Sequence, residues 1–189
     1  MAKFLVLYGT TEGHTRNIAS HIATVLRKKE HTVDLVDSAD YPEALKKGEY
    51  DGIIIGASVH QDKYQNAVEH YVNMNRSVLN STKSAFFSVC LSAAITDKEH
   101  YNEARRYVTN FLNKTRWKPS IYEIFAGALL YTKYDYFKRL IMKFISAKEG
   151  RETDTSRDYI YTDWDRVTRF ANDFEDLVTS DFTRKKEIA

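Results

Sequence analysis

Residues 3–15 of the chain read KFLVLYGTTEGHT, an apolar run that leads directly into a loop with two glycines and three threonines. The run from Lys3 to Tyr8 predicts a buried β-strand. An α-helix is predicted immediately after the loop from the helical spacing of Ile18, Ile22, Val25 and Leu26. The loop therefore joins the carboxyl end of a strand to the N-terminus of a helix. Free backbone N–H groups and the positive end of the helix dipole favour an anion at such a point.

The composition of this loop favours a phosphate monoester. Gly9 and Gly13 permit backbone angles and a close approach that a side chain would block, and the threonine hydroxyls add hydrogen-bond donors. The segment lacks the GK[ST] ending of a triphosphate-binding loop and the GxGxxG pattern of dinucleotide-binding folds. The alternative is that Thr11 or Thr15 only caps the helix. We predict a phosphate site formed by Thr10, Thr11, Glu12, Gly13, His14 and Thr15.

Short apolar runs alternate with helical stretches along the rest of the chain, which is the pattern of a parallel sheet covered by helices on both faces. Further strands are predicted at Thr32 to Val36, Gly52 to Ala57, Ala85 to Cys90 and Ile121 to Leu130. Further helices are predicted around residues 67–78, 101–113 and 163–178. We expect the last helix to start after Thr162, with Asp165 as a weak capping partner. The 189 residues thus predict a single doubly wound α/β domain.

The formal net charge of +2 hides an uneven distribution of charged residues. Residues 1–100 carry a net charge of −1, residues 101–150 carry +6 and residues 151–189 carry −3. Five of the ten basic side chains in the central block lie on the third predicted helix and on the approach to the fifth strand. The other five fall in or beside a segment that the alternation of strands and helices does not explain.

That segment separates Leu130 from Tyr159 and is too long for an ordinary connection, so it predicts an insert at approximately residues 131–156. Its first half carries one apolar helical face, formed by Phe137, Leu140, Ile141, Phe144 and Ile145. Cations occupy other positions of the same helix. On the periodicity alone, the more common outcome is a helix that packs its apolar face on the sheet and leaves its cations in solvent, and the alternative is a helix at an interface between water and lipid.

The cysteine content limits the chemistry that the chain can carry. A single cysteine, Cys90, excludes an intrachain disulfide and an all-cysteine metal centre, and we predict no metal site. We expect Cys90 to be a small buried residue at a strand end in a protein of the reducing cytoplasm. The first residues lack a full-length signal-peptide region, and no window reaches about 18 apolar residues. The sequence therefore predicts a protein that is neither exported nor membrane-spanning.

The string GTTEGHT after an N-terminal strand resembles the FMN phosphate loop of the flavodoxin family. The resemblance implies FMN at the switch point of a sheet of order 2-1-3-4-5, with the loops after the third and fourth strands around the flavin ring. The ring contacts so implied are Ser58, Val59, His60, Gln61, Tyr64, Ser88, Val89, Cys90, Leu91 and Ser92. His60 or Tyr64 could stack on the ring or donate a proton, and a solvated His60 is the open alternative. Unlike small flavodoxins, the chain has no aromatic residue in the fourth-strand loop and no acidic net charge.

Further strings resemble the flavodoxin-type, menaquinone-dependent protoporphyrinogen oxidase family, namely IGAS at 55–58, AGAL at 126–129, GRETDT at 150–155 and YTDW at 161–164. The resemblance covers most of the chain, including the insert. It implies oxidation of protoporphyrinogen IX to protoporphyrin IX in haem biosynthesis. Electrons would pass through FMN to menaquinone or another respiratory quinone, at the inner face of the cell membrane. The implied contacts with substrate or membrane are Tyr131, Lys133, Tyr134, Phe137, Lys138, Arg139 and Lys143.

Two other functions remain open at this point. A soluble flavodoxin-type electron carrier would have no small substrate of its own, and an NAD(P)H:quinone reductase would use a nicotinamide donor. No nucleic-acid partner is predicted, because a buried strand interrupts the basic block. The sequence identifies no catalytic acid or base, and it leaves the oligomeric state open, including a homo-oligomer. We expect the Glu12 carboxylate to point away from the phosphate, which would repel it.

Overall fold

A computed structural model describes residues 1–40, 43–94, 98–129 and 159–187. Five parallel strands form its main sheet: β1 (Lys3–Gly9), β2 (Thr32–Asp37), β3 (Gly52–Ser58), β4 (Lys83–Cys90) and β5 (Ile121–Ala126). Their order is β2-β1-β3-β4-β5, which confirms the predicted doubly wound sheet of order 2-1-3-4-5. The central strands are apolar along almost their whole length because helices cover both faces of the sheet.

Within the described ranges, four helices pack on this sheet, two on each face. They are α1 (His14–Lys28), α2 (Asn66–Ser81), α3 (Lys98–Thr115) and α4 (Trp164–Glu187). Buried side chains of α1 and α4 share one hydrophobic core, which includes Ile22 and Phe174. Those of α2 and α3 share the core on the other face, which includes Val72 and Phe111. Each helix is amphipathic because its apolar residues recur every three or four positions.

The glycine of the IGAS string is required by packing. A Cβ atom on Gly56 would lie 1.9 Å from the Cζ atom of Phe87, whose side chain is buried in the core shared with α1 and α4. The ring of Phe87 therefore occupies the space that any larger residue at position 56 would need.

The predicted strand from Ile121 to Leu130 is wrong in one respect, because it is divided at Gly127. Its second part, β6 (Ala128–Leu129), pairs antiparallel with β7 (Tyr159–Ile160) in a separate two-stranded sheet. The Gly127 N–H donates to the Cys90 carbonyl oxygen, while the Gly127 carbonyl oxygen accepts from the Tyr161 N–H. The backbone thus leaves β4 at this glycine and turns to the returning chain.

The start of α4 also differs from the prediction. Asp163, not Thr162, caps the helix, because the Asp163 Oδ1 atom accepts a hydrogen bond from the Arg166 N–H at 3.0 Å. The Thr162 hydroxyl is occupied elsewhere and donates to the Ala126 carbonyl oxygen at 2.7 Å. The predicted insert at approximately residues 131–156 lies outside the described residues. In the ranges that the structure describes, no helix is both long enough and apolar enough to cross a membrane.

Candidate functional site

Three loops meet at the carboxyl edge of the sheet, following β1, β3 and β4. The register pairs Gly9 with Ala57 and Ser58 with Val89, so the three strands end side by side. The Val59 N–H donates to the Val89 carbonyl oxygen at 2.9 Å, which continues the pairing past the end of β3. The structure thus brings together the loops that the sequence analysis selected.

The N-terminus of α1 opens onto this edge without a side-chain cap. Gly13 precedes the helix with a φ of 90°, a left-handed conformation that favours glycine. Its N–H donates to the Thr10 hydroxyl at 2.8 Å, and its carbonyl oxygen accepts the first helical bond, from the Asn17 N–H. The intervening N–H groups of residues 14–16 are those that a helix leaves without a helical partner. The alternative in which Thr11 or Thr15 only caps the helix is therefore wrong.

Thr15 contributes a polar atom in need of a partner. Its side chain is 1% exposed, and its Oγ1 atom has no hydrogen-bond partner among the described residues. An unsatisfied buried hydroxyl costs about 1–3 kcal/mol. The first turn of α1 also contains no acidic side chain that would repel an anion. An anionic oxygen near this turn would satisfy both the Thr15 hydroxyl and the free N–H groups.

Gln65 is a further candidate site residue, which the sequence pattern did not identify. Its Nε2 group donates to the Ser58 hydroxyl at 2.7 Å and to the Thr11 hydroxyl at 3.1 Å, so one amide joins the loops after β1 and β3. Its Oε1 atom is buried and unpartnered within the described chain. The available signal was its position, because Gln65 immediately precedes the first residue of α2.

Glu12 and His60 link the same two loops by charge. The Glu12 Oε1 atom lies 3.3 Å from the His60 Nδ1 atom, and both side chains are partly exposed. Burial raises the pKa of the Glu12 carboxyl, and the neighbouring His60 offsets part of this increase. This pair is a titratable group at the candidate site, with a carboxylate oxygen facing an imidazole nitrogen.

A strained turn carries His60. The His60 N–H donates to the Lys63 carbonyl oxygen and the Lys63 N–H donates back, at 2.8 and 3.1 Å. The central residues Gln61 and Asp62 both have positive φ, 49° and 62°, as in hairpin turns that normally use asparagine and glycine. The Tyr107 hydroxyl on α3 contacts the Asp62 carboxylate at 2.5 Å. Helix α3 thereby holds the turn against the body of the protein.

Tyr64 lies in the core, which contradicts its assignment to a ring contact. Its ring packs edge-on against Phe86 and Phe111, and its hydroxyl lies 2.9 Å from the Ser88 hydroxyl. Burial raises the pKa of the Tyr64 phenol, so this group does not release its proton near neutral pH. Of the two candidates for stacking or proton donation, only His60 retains an exposed side chain.

The end of β4 offers mainly backbone to the site. The side chains of Ser88, Val89 and Cys90 are buried, which confirms Cys90 as a small buried residue. Burial raises the pKa of the Cys90 thiol, although the Ser92 hydroxyl 2.8 Å away offsets part of this shift. Cys90 is therefore a protonated thiol rather than a nucleophile. Leu91 and Ser92, in the 3₁₀ turn that follows, are half-buried.

The His14 side chain points towards the C-terminal part of the fold. Its Nε2 atom lies 2.7 Å from the Thr162 hydroxyl, so position 14 offers a ligand its backbone N–H. Burial lowers the pKa of the His14 imidazole. The seven predicted substrate or membrane contacts between Tyr131 and Lys143 lie outside the described residues. No cluster of potential metal ligands occurs in the described ranges.

A sequence model described as a flavodoxin domain matches residues 5–156. The chain belongs to the flavodoxin-domain family. The oxidised flavodoxin 1 of Bacillus cereus, a solved structure, shares this fold with a TM-score of 0.51 and 24% identity. The alignment covers 79% of this chain and 99% of that flavodoxin.

Two curated relatives narrow the family further. A protoporphyrinogen IX dehydrogenase (quinone) of Leishmania major is 38% identical over 93% of this chain and 75% of that protein. A protein of the same name from Escherichia coli K12 is 35% identical over 93% of this chain and 96% of its own length. This flavodoxin-domain chain is thus a member of the protein family that contains these dehydrogenases.

Proposed function

We propose that this chain is an FMN-dependent dehydrogenase that oxidises protoporphyrinogen IX to protoporphyrin IX and passes the electrons to a respiratory quinone such as menaquinone. The names of the two curated relatives support the substrate and the quinone acceptor. The flavodoxin domain supports FMN. The structural observation that carries the proposal is the buried, unpartnered Thr15 hydroxyl in the first turn of α1, at the carboxyl edge of the sheet.

The residues at this edge fit the phosphate of FMN. The phosphate would be held by the N–H groups of residues 14–16, the Thr15 hydroxyl and the hydroxyls of Thr10 and Thr11. Gly13 leaves the approach open, since a Cβ atom built there would have no neighbour within 4 Å. Gln65 fixes the relative position of the phosphate loop and the end of β3, where Ser58 lies.

The flavin ring would lie between the loop after β3 and the 3₁₀ turn after β4, at residues 58–61 and 91–92. FMN bound there would supply the redox chemistry, the transfer of electron pairs from the porphyrinogen to the quinone. His60 is held against Glu12 by the turn that Tyr107 anchors. This pair can take up a proton released during oxidation, between the Glu12 Oε1 and His60 Nδ1 atoms.

The quinone acceptor determines where in the cell we propose that the enzyme acts. A respiratory quinone is confined to lipid, so the enzyme would act as a cytoplasmic protein associated with the inner face of the cell membrane. Within the proposed insert, Tyr131, Lys133, Tyr134, Phe137, Lys138, Arg139 and Lys143 would contact the membrane or the porphyrinogen carboxylates. A helix with cations beside an apolar face supports this role.

The proposal is tested by an anaerobic assay with FMN-loaded protein. We expect fluorescent protoporphyrin to form only when protoporphyrinogen IX and a quinone are both present, with menaquinone and ubiquinone compared in parallel. Heat-denatured protein and free FMN are the controls for spontaneous oxidation. Failure with every quinone would overturn the proposal. Rapid reduction by a flavodoxin reductase in the same preparation would then favour the electron-carrier alternative.

A further inference from the structure

The predicted insert accounts for only five of the ten basic side chains in residues 101–150. Residues 104–122 contain five basic side chains and no aspartate or glutamate. Residues 70–94, on the neighbouring helix and strand, contain Arg76 and Lys83 and are also free of acidic residues. These two stretches belong to α2, β4, α3 and the approach to β5, and they carry much of one face of the molecule.

Five exposed cations on this surface make no ion pair with the described residues. They are Arg76, Arg105, Arg106, Arg116 and Lys118, and we call the surface that they define the cationic face. Lys114 is excluded because its Nζ atom lies 2.6 Å from the Glu69 carboxylate. Elsewhere the chain does pair such groups, for example Lys29 with Glu175 and Arg166 with Glu123. The charges of these five side chains are therefore not compensated by ion pairs with the described residues.

A groove of about 560 Å³ lies at one end of the cationic face, between the C-terminal halves of α2 and α3. Its lining includes Arg76, Arg116 and Lys118. The Asn80 side chain donates to the Arg116 carbonyl oxygen at 3.0 Å and accepts from the Lys118 N–H at 2.8 Å. Between them, Trp117 is buried and its indole N–H donates to the Ser84 hydroxyl. The two cations thus stand on a segment that is fixed at three points.

Large apolar side chains are also exposed on α2, α3 and β5. Met74 on α2 is 40% exposed and Tyr122 on β5 is 42% exposed, and Tyr101 on α3 is exposed to the same degree as Tyr122. They are three of the five large apolar side chains that are exposed in the described ranges. Surfaces that lie at a lipid headgroup layer combine cations with exposed apolar and aromatic side chains.

The length of the cationic face indicates which kind of partner it can bind. Arg105 and Thr115 are about 15 Å apart along α3, at 1.5 Å per residue, so a single small anion cannot contact all of the cations. We propose that the cationic face is a docking surface for an anionic phospholipid bilayer. This inference rests on the proposed function, because a quinone acceptor requires access to lipid. Helix α3 starts close to the 3₁₀ turn at residues 91–94, beside the candidate site, and ends at the groove, near the opposite edge of the sheet.

Vesicle binding tests the docking surface without any need for activity. FMN-loaded protein is titrated with vesicles of phosphatidylcholine that contain phosphatidylglycerol, and with vesicles of phosphatidylcholine alone. Each basic residue near an anionic surface strengthens binding about fivefold, so R76Q/K118Q and R105Q/R106Q should each bind about 25-fold more weakly. The matched control K28Q/R169Q removes the same charge from α1 and α4, on the opposite face of the sheet, and should change binding less than about threefold.

A fluorescent label locates the contact directly. The chain's one cysteine is buried, so N113C provides a single accessible thiol at the groove, and K28C provides one on the opposite face. An environment-sensitive dye at position 113 should shift to the blue with anionic vesicles, and the dye at position 28 should not. Equal weakening by the three double variants, or a shift at position 28 alone, would overturn the proposal. Tighter binding to duplex DNA than to anionic vesicles would also overturn it.

The proposed function and the docking surface can be tested separately. The double variants should retain porphyrinogen oxidation with a water-soluble quinone analogue and lose it only with quinone in anionic vesicles. If wild-type protein lacks activity with both quinones but binds vesicles through positions 76, 105, 106 and 118, the function is wrong and the docking surface stands. If activity is normal in both assays for all variants, the docking surface is wrong and the function stands.

Discussion

The Nε2 atom of His14 lies 2.7 Å from the hydroxyl oxygen of Thr162, across 148 positions of the sequence. The Thr162 hydroxyl donates its single proton to the Ala126 carbonyl oxygen, so the histidine must be the donor and carry its proton on Nε2. One hydroxyl therefore joins the first residue of α1, the last residue of β5 and the approach to α4. The orientation of the predicted phosphate loop depends on a segment near the far end of the chain.

Replacing this hydroxyl should destabilise the fold. In Thr162→Val the shape is kept, but the His14 N–H and the Ala126 carbonyl lose a buried partner, so we expect the free energy of unfolding to fall by about 1–3 kcal/mol. Urea denaturation of the FMN-free protein measures the change. Thr168→Val is the matched control, because the half-buried His21–Thr168 pair joins α1 to α4 itself, and its loss should cost less than about 1 kcal/mol. Equal losses in the two variants would contradict the role of Thr162.

The same histidine predicts a dependence of stability on pH. Burial lowers the pKa of His14, and burial together with Lys28 lowers that of His21, so the unfolded chain binds more protons in mildly acidic solution. The free energy of unfolding should be highest above about pH 6.5, the pKa of an unperturbed histidine, and should fall as the pH decreases towards the pKa values of the folded state. The slope is at most about 1.4 kcal/mol per pH unit for each histidine. Urea denaturation of His14→Gln between neutral and mildly acidic pH should give a flatter dependence than the wild type. An unchanged slope would contradict the assignment.

The strands were predictable because each buried run is long and local. The division of the last run at Gly127 was not, since Ala126 to Leu130 stay apolar on both sides of the break. The division arises from pairing with residues 159–160, some thirty positions later, which leaves no local signal. The prediction of the α4 cap was wrong for a similar reason. Thr162 and Asp163 are both good capping residues, and only the tertiary partners of Thr162 decide between them.

Thr15 gives a prediction in which stability and binding move in opposite directions. Thr15→Val removes a buried hydroxyl that has no partner, so the FMN-free protein should be as stable as the wild type or more stable. The dissociation constant for FMN should rise about tenfold to a hundredfold, because a hydrogen bond to a charged phosphate is lost. Fluorescence titration measures the affinity, and Thr15→Ser should restore most of it. Unchanged FMN affinity in Thr15→Val would place the phosphate elsewhere.

Gln65 should influence FMN binding through the loops that it joins. Gln65→Met keeps a similar volume but loses the hydrogen bonds to Thr11 and Ser58, so we expect about tenfold weaker FMN binding and a loss of about 1 kcal/mol in stability. Asn73→Leu is the control, because the Asn73 side chain is exposed on α2, away from the loops that Gln65 joins. Parallel titrations with FMN and riboflavin locate the effect. An equal loss of affinity for FMN and for riboflavin would show that Gln65 does not order the phosphate loop.

The candidate site was predictable where the sequence signal is local, as in the phosphate loop. It was not predictable where the side chains of adjacent residues point in different directions. Tyr64 and Gln65 are adjacent, yet one ring enters the core and the other side chain ties two loops together. Their directions follow from the turn at Gln61 and Asp62. Positive φ at these two residues has only a weak signature in the sequence, because aspartate tolerates this conformation and glutamine does not favour it.

That turn should depend on the hydroxyl of Tyr107. Positive φ at a non-glycine residue costs on the order of 1 kcal/mol or more, and the surrounding structure must supply it. Tyr107→Phe keeps the ring but removes the contacts with the Asp62 and Glu103 carboxylates. We expect hydrogen exchange at the His60 and Lys63 N–H groups to accelerate about fivefold to thirtyfold, since a loss of about 1–2 kcal/mol is confined to the turn.

Global unfolding and FMN binding then distinguish a local role for Tyr107 from a general one. The urea midpoint of Tyr107→Phe should change little, while FMN affinity should fall severalfold because His60 is no longer held against Glu12. Tyr101→Phe, an exposed tyrosine on the same helix, should change neither quantity. If exchange accelerated equally across β3 and β4, the hydroxyl would stabilise the whole sheet rather than the turn. Unaltered exchange at both turn amides would mean that the strain is balanced within residues 60–63 themselves.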